Sequence, residues 1–166
     1  PALTKAYLAN SARYLTGVDA NDSLPSPNQG MGAVNLGTAF DGVARVLHDQ
    51  RSEEKFTASG QTRTICGNIV DSGKPLRVTL AWTDAPGSTT GSAYNNDLDL
   101  VVAVGGNFYK GNFFSGATSV TGGLADERNN LESVLLPAGL SGSFAVTVTA
   151  ANINSDGVPN EAPALD

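Results

Sequence analysis

A single cysteine, Cys66, rules out any disulfide within the 166 residues, and with it the covalent framework that holds many small exported domains together. Charge is scarce too. Asp, Glu, Lys and Arg make up 16% of the chain, the formal net charge is -6, and the isoelectric point is near 4.6. That balance gives no attraction to phosphate backbones or anionic lipid, so nucleic acid and membrane surfaces are poor partners. No apolar run is long enough to span a bilayer. The chain opens on Pro1 with no visible signal peptide, so the natural amino terminus is expected upstream. What is plentiful is glycine, 19 residues of it, together with Ser, Thr, Asn and Ala. This usage suits short strands joined by tight turns and points to an all-β body.

The leader reads differently. Pro1 through Ala9 predicts a helix whose first turn tolerates the proline, stopping near Gly17. From Val18 to Gly32 the chain has turn-forming residues and no apolar period, so a loop is expected. Asn35 is a plausible N-cap for a second helix with Leu36, Ala39, Phe40, Val43, Val46 and Leu47 on one stripe. His48 would end that helix, where its partial positive charge suits the dipole. The polar run Asp49–Lys55 marks a boundary, dividing residues 1–50 from 51–166. Removing Pro1 to Asp49 is expected to leave the second part folded.

Beyond that boundary the period is two. Leu76, Val78, Leu80 and Trp82 alternate with polar or small residues; so do Leu98, Leu100, Val102 and Val104, and Phe144, Val146 and Val148. Further strands are expected at 55–58, 62–70, 107–110 and 130–136, and the last residues, 156–166, read as a loop leading toward another strand. Seven short strands predict an antiparallel sandwich or jelly roll. Cys66 is expected as a small buried hydrophobe and Trp82 as core. Tyr94, Phe108, Tyr109, Phe113 and Phe114 would suit stacking on a sugar or gripping a peptide only if several lined one surface.

Asp97 and Asp99, two apart in a strand, leave the same face and repel. A divalent cation relieves that repulsion, and Asn95, Asn96, Asn112, Asp126, Asn129 and Asn130 offer oxygens for a calcium shell; the competing reading is a solvated polar face.

Several segments resemble a known family. Residues 1–12 (PALTKAYLANSA) are similar to the helix that subtilisin-like serine proteases carry soon after their catalytic-serine helix, and residues 29–36 (QGMGAVNL) to the turn before the final helix of that domain. Residues 76–87 (LRVTLAWTDAPG), 95–100 (NNDLDL), 109–112 (YKGN) and 126–132 (DERNNLE) resemble the β-barrel that follows the catalytic domain in secreted bacterial members. The resemblance implies a mainly β chain, an antiparallel jelly-roll β-sandwich preceded by two helices ending an α/β domain. It implies secretion, a catalytic domain of the same protease as partner, and a protein or peptide substrate for the parent enzyme. It also favours calcium, with Asp97, Asp99, Asp126, Asn112 and Asn130 as ligands. Where the family often has an acid after Gly111-Asn112, this chain has Phe113. Its Asp, His and Ser motifs all fall before Pro1, so the chain alone is expected to be inactive. A second class stays open: an autonomous calcium-dependent β-sandwich binding carbohydrate or protein.

Overall fold

The computed structural model describes residues 1–49, 51–91 and 93–157; most of the acidic, proline-containing tail therefore lies outside the described residues. The body is mainly β and antiparallel. In chain order the elements are α1 (Ala2–Ser11), α2 (Leu36–Ala39), β1 (Thr62–Ile69), β2 (Leu76–Ala81), β3 (Asp97–Val104), β4 (Asn107–Lys110), β5 (Phe114–Ser115), β6 (Thr118–Ser119), β7 (Leu131–Leu136) and β8 (Gly142–Asn152). A four-stranded sheet has the order β1-β8-β3-β4; β2 pairs with β7, and β5 with β6.

The alternating pattern decides which sheet face is dry. Leu98, Leu100, Val102 and Val104 of β3 are all buried, and Val146 of β8 joins them. From the second sheet Val134 and Leu136 meet this face, with Leu76, Val78 and Leu80 packed alongside. Each fully buried Leu or Val here contributes about 1.5–3 kcal/mol. A second cluster, Phe56, Trp82, Leu98 and Ala150, closes one end, so Trp82 is core as expected. Gly105 and Gly106 join β3 to β4 with φ of 59° and 77°, the double positive φ that a two-residue hairpin needs.

The leader is joined to this body. Helix α1 lies on the outer face of β2, where Asn10 Nδ2 donates to Thr79 Oγ1 at 3.0 Å. Arg77 Nη1 donates to the carbonyls of Asn10 and Ala12 at 2.8 and 3.2 Å, a cation answering the helix carboxy terminus. Leu24, Phe114 and Leu135 form a third buried cluster with Tyr14 and Met31 against it, so leader and strands share a core.

Four expectations are corrected. The second helix is one turn, Leu36–Ala39, capped by Asn35 as expected, because Gly42 takes φ 77° and Asp41 Oδ1 accepts from Val43 N–H, turning the chain. His48 therefore ends no helix; its Nδ1 pairs with Glu54 Oε1 at 2.7 Å. Residues 55–58 form no strand. Cys66 is exposed, because register puts it opposite Ala145 on the outer face while its neighbour Ile65, opposite Val146, takes the inner one.

Candidate functional site

Asp97 and Asp99 open β3 on the face away from Leu98 and Leu100, and both have lost water. Asp97 is 8% exposed and Asp99 half-buried, and in each the Oδ1 is buried without a hydrogen-bond partner. Burial pushes the Asp97 carboxyl up to about 6, with the charges of Asp99, Glu127 and Asp126 adding to it. Burial also raises Asp99; nearby Lys110 pulls it back, while Glu127 and Asp126 push it further. The Lys110 ammonium itself donates to the carbonyl of Gly123 at 2.8 Å.

Asp126, on the loop before β7, is in the opposite condition. Its Oδ1 accepts from the N–H groups of Arg128 and Asn129 at 3.0 and 3.3 Å, and its Oδ2 from Asn112 Nδ2 and Asn129 Nδ2 at 2.6 and 2.7 Å. Burial pushes this carboxyl up, but those bonds outweigh it and hold the group below its ordinary value. Asn112, at φ 56°, also donates from Nδ2 to Leu131 O, accepts at Oδ1 from Ser133 N–H, and donates its own N–H to Ser133 O. Its oxygen is thus committed to the edge of β7. Asn130 is committed elsewhere: its Nδ2 donates to Trp82 O at 3.1 Å and its Oδ1 accepts from Lys5 Nζ of α1.

Of the five expected ligands, then, Asp97 and Asp99 keep free carboxylate oxygens and Asp126 stands within electrostatic reach of them. Asn112 and Asn130 are taken up in holding β7. The neighbouring Asn95 and Asn96 receive Asp84 instead, which accepts their N–H groups at 2.7 and 3.0 Å and so closes the loop between.

One buried acid beside the aspartates escaped the reading of the sequence. Glu132 is 1% exposed, on β7 in phase with the core residues Val134 and Leu136. Its Oε2 accepts from Leu100 N–H at 2.6 Å, filling the place on the β3 edge where β4 has ended, and its Oε1 is buried with no partner. Burial raises its carboxyl to about 8 despite that bond, helped by the charges of Asp99, Asp126 and Asp97. Gly111 makes room for it: a Cβ there would meet Glu132 Oε2 at 2.1 Å. Parity with Val134 and Leu136 was the available signal.

Among the described residues, no three or more His, Cys, Asp or Glu side chains converge as a group able to hold a metal ion. Nor does any described serine hydroxyl bond to His48, whose partner is Glu54. Tyr109 packs on the first core cluster and Phe114 lies in the third, while Phe108 is exposed. No protein-family model matches the chain, and no curated protein matches it significantly.

Proposed function

We propose that residues 1–166 are the carboxy-terminal part of a secreted subtilisin-like serine endopeptidase, with the catalytic triad outside them. In this reading the β-region is a jelly roll that stabilises the catalytic domain or helps to position a peptide substrate, and the leader is the end of that domain. The observation that carries it is the apolar surface after α1. Phe40 is 78% exposed and Val46 84%, with Val34, Leu36, Val43 and Leu47 exposed beside them. A chain as sparing of charge as this one does not profit from such a surface unless a larger body covers it. The same surface counts against an autonomous carbohydrate- or protein-binding sandwich, for which the leader would be a solvated appendage.

Calcium belongs to the proposal. A hard cation is attracted to desolvated carboxylate oxygens that have no proton donor, which is the condition of Asp97 and Asp99. These two residues would hold the ion, and Asp126, fixed by its own hydrogen bonds, would add negative potential from the loop. Bound calcium would tie the start of β3 to that loop in a fold without a disulfide.

The test is active-site labelling with a fluorophosphonate probe. Applied to the natural polypeptide that contains these residues, it is expected to modify one serine preceding Pro1 and none within 1–166. A labelled serine inside the chain, or none anywhere, would overturn the reading.

A further inference from the structure

We draw no further inference here: the strongest candidate, the open cleft on the outer face of the four-stranded sheet between Cys66, Ala103, Ala145 and the exposed Phe108, carries nothing because nothing in the structure shows what covers it.

Discussion

Asp126 and Glu132 stand six residues apart at the entry to one strand and meet burial in opposite ways. Asp126 receives four donors and stays ionised; Glu132 receives one and is pushed toward its neutral form. The difference is one of donor supply. The loop 126–130 is irregular, so its free N–H groups and asparagine amides can turn onto a carboxylate, whereas a strand interior has already spent its N–H groups on its neighbours. Asp97 and Asp99, at the head of β3, share the poverty of Glu132.

The largest effect expected is at Gly111. Gly111→Ala drives a methyl group to 2.1 Å from a carboxylate fixed in the core, so it should cost about 3 kcal/mol or more by chemical denaturation. Pairing it with Glu132→Ala should recover part of that loss, and full additivity would mean that the two do not touch.

The second effect is on pH. Glu132 and Asp97 are raised in the fold, to about 8 and about 6, so each favours the folded state below its unfolded value and loses that contribution as pH rises through the folded one. In chelator the chain should therefore melt higher at about pH 5 than at about pH 8. Glu132→Gln keeps an acceptor for Leu100 N–H and removes the charge, so at pH 8 it should stabilise by about 2 kcal/mol and flatten the profile. A variant less stable than the parent at pH 8 would refute this account of Glu132.

Asp126→Asn should act in the other sense and more weakly. It removes a charge that four donors serve, at a cost of about 1–2 kcal/mol near neutrality. Because the Asp126 pKa is lowered, its contribution is present above the ordinary aspartate value and lost as pH falls through the folded one, so parent and variant should converge in acid. A constant gap down to pH 2 would show that shape, not charge, is what the loop requires.

Where alternation was strict, the fold was legible in the sequence: β3 has leucine or valine at every even position, and its bounds and buried face follow. In β1 the run Ile65-Cys66 offers two apolar neighbours for one inner face, and periodicity alone cannot choose; the pairing with β8 does. The 35–47 stripe misled because apolar spacing says nothing of the stop that Asp41-Gly42 imposes. Of the candidate site, the aspartate pair was visible as two acids on one strand face. Asn112 and Asn130 were read as oxygen donors to an ion; that their side chains also hold Ser133, Trp82 and Lys5 was not legible, because those partners come from distant segments. Glu132 was passed over as one acid among many, although its phase marked it as inward.

Whether the orphaned oxygens of Asp97 and Asp99 await a cation is decided by melting the chain at about pH 8 with calcium and with chelator. A ligand bound only by the folded state at a hundred times its dissociation constant adds roughly 2.7 kcal/mol, which for a body of this size is a rise on the order of 5–10 °C. Asp99→Asn should lose most of that rise while melting in chelator at least as high as the parent. Identical melting with calcium and chelator would contradict the account and leave the pair as buried acids that the fold merely tolerates.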